Sequence, residues 1–276
     1  MKRARARKSL GQNFLVDPNI QRKIVDALEP GPDNEVLEIG PGTGALTRHL
    51  AGRVRRLIAV ELDDRLIPEL NERYGAQPGV EIVHADVLKL ELATLVDDPA
   101  GLKVIGNIPY YITTPILFWL LDRPDRPERI VLMVQKEVAD RILAPPGDRA
   151  YGALSVGVRT VAAVEYLFTV SRGAFRPVPA VDSAVIRITP LRPPPLRPEE
   201  EEDVRALTRA AFGWRRKQLQ RILRDAPGYG LGPGEVREIE EATGLELDAR
   251  PETLSPDRFI RLAKALRAAG YPRGGG

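Results

Sequence analysis

A glutamate followed by three closely spaced glycines has the clearest chemical use in this sequence. Glu38 lies in a short apolar run that predicts a buried strand, and Gly40, Gly42 and Gly44 follow directly. Glycines permit a sharp turn and let a ligand lie against bare backbone. A helix is predicted over 45–50, and its first amides face the turn. The segment therefore predicts a ligand site, and an ordinary glycine-rich turn is the alternative.

The spacing of the glycines indicates which ligand is expected. It matches neither the G-x-G-x-x-G dinucleotide fingerprint nor the P-loop, because no Gly-Lys-Ser/Thr follows. The carboxylate of Glu38 would repel a pyrophosphate and attract a cation. S-adenosylmethionine carries an ammonium and a sulfonium and has no phosphate. We therefore expect S-adenosylmethionine, and S-adenosylhomocysteine as its product.

Two more acids end predicted strands downstream of the glycines. Glu61 follows the apolar run 57–60, at the distance where α/β folds place a carboxylate for ribose hydroxyls. Asp86 ends the next strand, where its carboxylate could accept the amine of a bound adenine. A solvated acid at a strand end is the alternative for each. Three acid-ended strands in succession favour a shared site.

The fourth predicted strand runs into Asn107-Ile108-Pro109-Tyr110. An adenine N6 amine is a poor nucleophile because its lone pair is delocalised into the ring. The Asn107 side-chain oxygen and a backbone carbonyl held by Pro109 could accept both N6 hydrogens and aim the lone pair at a methyl donor. Tyr110 offers a face on which the base could stack. A simple turn is the alternative, because Asn and Pro are common in turns.

A rigid proline-rich loop supplies a further aromatic side chain. The extended segment 175–179 places Phe175 near the sheet edge, where it could close over a flipped base. The alternative is that Phe175 packs into the core.

These residues require an α/β fold in which strands and helices alternate. We predict a doubly wound, mostly parallel Rossmann-like methyltransferase sheet with a small all-helical C-terminal domain. The domains are expected at 1–190 and 191–276, because four prolines and an acidic run follow residue 190. Within the first domain, 1–17 is expected to be a basic arm and cofactor flap.

Composition excludes several classes of protein. The chain has 276 residues, no cysteine and only two histidines, His49 and His84. Disulfides and thiolate chemistry are excluded, and we expect no metal site. No apolar run is long enough to span a membrane, and the basic N-terminus lacks the apolar segment of a secretory signal. We therefore expect a cytoplasmic protein.

Basic residues cluster at two places although the net charge is only +3. The first eight residues hold five cations and no acid. A second cluster is Arg215-Arg216-Lys217, and Lys217, Arg221 and Arg224 are spaced to form one stripe on a predicted helix, 215–224. Such clusters are typical of proteins that bind a polyanion, and a solvated charged face is the alternative.

Together these motifs resemble the ribosomal RNA adenine N6-dimethyltransferase family, above all its bacterial small-subunit members. The resemblance covers nearly the whole chain, and the matching motifs keep the family's order. In chain order they are Gly11-Gln12-Asn13-Phe14-Leu15, Glu38 to Thr47, Glu61, Asp86, Asn107-Ile108-Pro109-Tyr110, Gln135-Lys136-Glu137-Val138, Phe175-Arg176-Pro177-Val178-Pro179, and Phe212 with Arg215-Arg216-Lys217.

The resemblance implies roles for individual residues. Tyr110 and Phe175 would hold the target base. The implied reaction dimethylates two adjacent adenosines in a hairpin loop near the 3′ end of 16S rRNA, within the immature small ribosomal subunit, and we expect a monomer. The cofactor contacts implied by the family are Asn13, Leu15, Gly40, Glu61, Asp86 and Asn107.

Three other functions compete with this expectation. A large-subunit RNA methylase would use the same chemistry, but the long C-terminal segment disfavours it. A non-catalytic RNA-binding assembly or transcription factor is disfavoured by the intact Asn107 and Tyr110. A small-molecule methyltransferase would leave the basic clusters without a role. Ala180, Trp214 and 219–222 depart from the family pattern, which affects the expected RNA contacts and not the chemistry.

Overall fold

The computed structural model describes Arg7 and residues 11–271, which divide into two units. One unit comprises the described residues up to Ala139 together with Ala163–Pro190. The other comprises Asp140–Ala162 and the described residues from Leu191 onward. The second unit thus takes in 140–162, which the predicted division at 190 assigns to the first domain. The reason is that Tyr151 and Val156 are buried in the helical core of that unit.

The first unit is built on a seven-stranded sheet. The strands are β1 Phe14–Leu15, β2 Glu35–Ile39, β3 Arg56–Glu61, β4 Val80–His84, β5 Lys103–Asn107, β6 Arg129–Gln135, β7 Ala162–Val170, β8 Phe175–Arg176 and β9 Ser183–Pro190. The strand order of the sheet is β4-β3-β2-β5-β6-β9-β7, and β1 pairs separately with β8. Strands β2 to β6 pair in parallel, and β9 runs antiparallel to β6. This arrangement confirms the predicted fold class.

Helices lie between the strands and continue after the sheet. The side chain of Asp17 caps the first helix, Pro18–Leu28, by accepting hydrogen bonds from the amides of Asn19 and Ile20, and Pro18 occupies the first helical position. The helices are α1 Pro18–Leu28, α2 Thr47–Leu50, α3 Ile67–Tyr74, α4 Leu92–Leu95, α5 Thr113–Leu121, α6 Lys136–Leu143, α7 Ala153–Arg159, α8 Pro198–Gly213, α9 Leu219–Asp225, α10 Pro233–Thr243 and α11 Pro256–Ala268.

The second unit buries its own apolar core among α7 to α11. Phe212 contacts the rings of Tyr151 and Phe259, with centroids 5.9 and 5.8 Å away. The predicted continuous helix over 215–224 was wrong, because residues 214–218 form a turn and α9 begins at Leu219. Within the described part of the chain, no helix combines the length and apolarity needed to cross a membrane.

Candidate active site

The candidate site lies where the strand order reverses. Successive strands add on one side of β2 as far as β4, and β5 and β6 add on its other side. The carboxyl ends of β2, β3 and β5 are adjacent, because Ile39 pairs with both Val60 and Gly106. Ligands of open α/β sheets bind at such a switch point. A cavity at this edge is lined by residues of the glycine turn, the strand ends and 11–15.

The glycine turn is shaped by Gly42 and Gly44, whose φ angles of 60° and 79° favour glycine. A Cβ atom on Gly44 would lie 2.6 Å from the ring of Tyr74, so only glycine fits there. The Gly42 amide donates a 2.9 Å hydrogen bond to Glu61 Oε2. The turn is therefore fixed against the carboxyl end of β3.

Glu61 is buried but keeps capacity to accept hydrogen bonds. Its Oε1 accepts from the amide of Asp63 at 2.8 Å, and its Oε2 accepts from Gly42. Each carboxylate oxygen has two acceptor positions, so these two bonds leave Glu61 with capacity to accept from a ligand hydroxyl. Burial raises the pKa of Glu61, and the backbone hydrogen bonds partly oppose that rise.

Glu38 forms a second buried carboxyl at the cavity wall. It is 1% exposed, and the hydroxyl of Thr47 donates a 2.7 Å hydrogen bond to its Oε2. Burial raises the pKa of Glu38 to about 7, and the charge of Glu61 contributes to the rise. Two buried acids beside one cavity favour a cationic ligand over a phosphate.

Asn107 ends β5 on the other side of the glycine turn and lines the same cavity. Its Nδ2 donates a 3.2 Å hydrogen bond to the backbone oxygen of Asn13. The amide nitrogen is therefore engaged with 11–15, and Oδ1 is the group left to accept hydrogens from a ligand.

Residues 11–15 form one wall of the cavity, and we call them the N-terminal flap. Gln12 Nε2 donates a 2.8 Å hydrogen bond to Asp63 Oδ2. Arg65 also donates to Asp63, and this ion pair lowers the pKa of Asp63 to about 2. Asn13 and Leu15 both line the cavity, as the predicted cofactor contacts require. Of the first eight residues, which carry the basic charge of the predicted arm, only Arg7 is among the described residues.

Tyr110 lines the cavity beside Asn107 and is half-buried. Its hydroxyl forms a 2.9 Å hydrogen bond with Ser183 Oγ, at the start of β9. Sequence reasoning assigned no functional role to Ser183, because only the fold brings it next to Tyr110.

Asp86 and Phe175 do not line the cavity. The Asp86 carboxylate accepts a 3.1 Å hydrogen bond from the amide of Leu88 and so caps the short turn after β4. Phe175 is 1% exposed and belongs to the core of the first unit, where β8 pairs with Leu15 of the flap. In this conformation the Phe175 ring packs against protein, which was the alternative interpretation of that residue.

The residues that wall the cavity suit S-adenosylmethionine. Glu61 offers acceptors for hydroxyls, Glu38 and Glu61 offer negative charge, and Leu15, Leu46 and Ile108 offer apolar contact. Within the described residues there is no group of three or more His, Cys, Asp or Glu side chains that could hold a metal.

The basic residues of the second unit differ in their partners. Arg215 donates to Glu252 at 2.6 Å, and Arg224 donates two hydrogen bonds to Asp225. Arg216, Lys217 and Arg221 are exposed. Because Lys217 precedes α9, the predicted helical stripe of Lys217, Arg221 and Arg224 was wrong at its first member.

The sequence matches a family model described as ribosomal RNA adenine dimethylase over residues 3–268. It is 46% identical over 268 residues to a Geobacter metallireducens protein named Ribosomal RNA small subunit methyltransferase A, covering 96% of this chain and 97% of that protein. A protein of the same name from Geobacillus thermodenitrificans is 43% identical, with 94% and 90% covered.

Two solved structures resemble the chain closely. A dimethyladenosine transferase from Plasmodium falciparum superposes with a TM-score of 0.75 at 26% identity, covering 94% of this chain and 98% of that one. The 23S rRNA methyltransferase ErmE superposes with a TM-score of 0.71 at 32% identity, covering 92% of this chain and all of that one.

Proposed function

The chain belongs to the ribosomal RNA adenine dimethylase family, and from that premise we propose that it dimethylates N6 of two adjacent adenosines in the 3′-terminal hairpin loop of 16S rRNA. The methyl donor is S-adenosylmethionine. The small-subunit substrate is supported by the two relatives named Ribosomal RNA small subunit methyltransferase A, which match over almost the entire chain. We assign the reaction to the maturation of the small ribosomal subunit, carried out by a cytoplasmic monomer.

The observation that carries this proposal is the orientation of the Asn107 amide. Its nitrogen donates to the Asn13 carbonyl, which leaves Oδ1 to accept a hydrogen from an adenine amine. Pro109 O already accepts from the amide of Ile112 at 3.1 Å, so the carbonyl of Ile108 is the better second acceptor. With both N6 hydrogens held, the nitrogen lone pair points away from the ring plane.

Besides holding the N6 amine, the protein has only to bind the methyl donor. S-adenosylmethionine, when bound, supplies an electrophilic methyl group on a positively charged sulfur. Glu61 accepts hydrogen bonds from ribose hydroxyls, and Glu38 stabilises positive charge near the glycine turn. No strong general base is needed, because the N6 proton can leave after the methyl group has been transferred.

Tyr110 is the side chain that holds the target base in this proposal. Its ring lines the cavity, and the hydrogen bond to Ser183 fixes the ring's position. A base in a hairpin loop can leave the stack at low cost, so the enzyme need not open a duplex. For Phe175 to hold the base as well, its ring would have to leave the core. The second methylation requires room for a base that already carries one methyl group.

Primer extension on ribosomal RNA treated with the enzyme tests the substrate. Immature small subunits, large subunits and S-adenosylmethionine are incubated with the protein, and samples without the methyl donor are the control. We expect reverse transcription to stop at two neighbouring adenosines near the 3′ end of 16S rRNA. Stops only in 23S rRNA would favour the activity named for ErmE. A parallel incubation with methyl-labelled S-adenosylmethionine that labels no RNA would favour a non-catalytic RNA-binding protein.

A further inference from the structure

The turn between α8 and α9 exposes a tryptophan among cations. Trp214 is 38% exposed, and with Gly213, Arg215, Arg216 and Lys217 it lines an open groove. Lys217 Nζ lies 5.9 Å from the centre of the indole ring. A single exposed apolar side chain is common on protein surfaces, but an aromatic face that lines a groove among cations is a combination typical of binding sites.

The turn is held firmly on both sides. Phe212, two residues before the indole, packs against Tyr151 and Phe259 in the core. The amide of Lys217 donates a 2.8 Å hydrogen bond to the Trp214 carbonyl, and the amide of Leu219 donates one of 2.9 Å to Ala249. The indole is therefore presented on a rigid support, which lowers the entropy lost on binding.

The cations around the indole fall into two groups. Arg215 is neutralised by Glu252 and also donates to the Asp148 carbonyl, so it supports the turn. Within the described residues, Arg216, Lys217 and Arg221 make no ion pair with an acid, and all three are exposed. The pKa of Asp225 is lowered mainly by Arg224 and to a smaller extent by Lys217 and Arg221. Lys217 and Arg221 therefore act on the same region of the surface.

We propose that Trp214, Arg216, Lys217 and Arg221, the Trp214 surface, bind a single-stranded segment of the ribosomal RNA. The indole stacks on one unpaired base, and the three cations contact the phosphates around it. Any base has a face for stacking, so this contact adds affinity without reading sequence. The inference rests on the proposed function, because it takes RNA to be the substrate.

Tryptophan fluorescence tests the stacking directly. The chain has two tryptophans, and Trp119 lies in the other unit, where its Nε1 donates to the Leu90 carbonyl. A full-length Trp119→Phe variant therefore reports Trp214 alone. We expect a single-stranded RNA oligonucleotide to quench its emission, and a blunt duplex of equal length to quench it far less.

Affinity measurements on full-length variants supply the second test. Trp214→Ala should weaken binding of single-stranded RNA about 5- to 150-fold, and Trp214→Phe should restore most of the loss. Tyr166→Ala removes an aromatic of almost equal exposure, 37%, from the other unit and is the control. Arg221→Ala should reduce the slope of log K against log salt by about 0.7. Arg237→Ala, which removes an exposed cation of α10, should leave that slope unchanged.

Two results would overturn the inference while leaving the proposed function intact. One is unchanged Trp214 fluorescence and RNA affinity in a protein that still methylates 16S rRNA. The other is a Trp214→Ala variant that binds naked RNA normally but binds the assembled subunit poorly, which would indicate a protein contact. A wild-type protein that transfers no methyl group to any RNA would instead refute the proposed function.

Discussion

Replacing Glu38 with glutamine is expected to remove a pH dependence of stability that originates in one buried carboxyl. Glu38 is 1% exposed, and its partner is the Thr47 hydroxyl. Burial raises its pKa from 4.5 to about 7, because the charged form loses hydration that the hydrogen bond from Thr47 does not replace. Glutamine keeps an oxygen that can accept from Thr47 and does not ionise.

The size of the effect follows from the two pKa values. An acid whose pKa is higher in the folded than in the unfolded chain stabilises the fold fully at pH values below its pKa in the unfolded chain. That stabilisation is lost as the pH rises through the folded value. Between pH 4.5 and about 7, the free energy of unfolding contributed by Glu38 falls by about 3 kcal/mol, because each pH unit corresponds to about 1.4 kcal/mol. The free energy of unfolding of the Glu38→Gln variant, minus that of the wild type, should therefore rise by about 3 kcal/mol between pH 4.5 and 8.

Urea unfolding followed by Trp119 emission measures this difference. Trp119 and Glu38 belong to the same unit, and a Trp214→Phe background removes the other tryptophan. Glu72→Gln, an exposed position on α3, controls for the change in net charge. Unfolding free energies of Glu38→Gln and wild type that stay parallel from pH 5 to 8 would refute the reasoning.

Three substitutions separate binding from transfer at the site. Asn107→Ala should lower single-turnover methyl transfer about 100- to 1,000-fold while only partly weakening cofactor binding, and comparable turnover would contradict the role of its oxygen. Glu61→Ala should weaken cofactor binding by about 1.5–3 kcal/mol in calorimetry, because it removes a charged acceptor and leaves the Gly42 amide without its partner. Ser183→Ala should lower kcat with cofactor affinity unchanged, and a double-mutant cycle with Tyr110→Phe should show coupling, whereas additive effects would exclude positioning through that hydrogen bond.

The edge of the sheet could be predicted because its signals are local. Glu61 and Asn107 each follow an apolar run, and parallel strands bring their carboxyl ends to one side. The structure places both residues beside the glycine turn, on the two strands that flank β2. The fold class followed from the same alternation of strands and helices.

Contacts between distant segments could not be predicted. Ser183 is 73 residues from Tyr110, and Gln12 is 51 residues from Asp63. No periodicity relates such positions, because each pair meets only when β9 joins the sheet or the N-terminal flap closes on the strand ends.

Two side chains show where a pattern admits more than one structure. Phe175 in a rigid proline-rich loop is compatible with a base contact or with core packing, and the pairing of β8 with β1 brings the ring into the core. Lys217 fits a helical stripe by spacing, but the chain turns at 214–218 before α9 begins. The amides of Leu219 and Gln220 after the turn donate to the carbonyls of Ala249 and Leu247, and the sequence alone did not mark this contact with a distant segment.

The central claim is that Asn107 presents an amide oxygen to the N6 amine of adenosine beside a methyl donor. Mass spectrometry of nucleosides from 16S rRNA treated with the wild-type protein and S-adenosylmethionine tests it most directly. We predict N6,N6-dimethyladenosine, two for each RNA, and about 100- to 1,000-fold slower formation of it by Asn107→Ala under the same conditions. Methyl groups on another base or another atom of adenine, or equal dimethylation by the variant, would contradict the account.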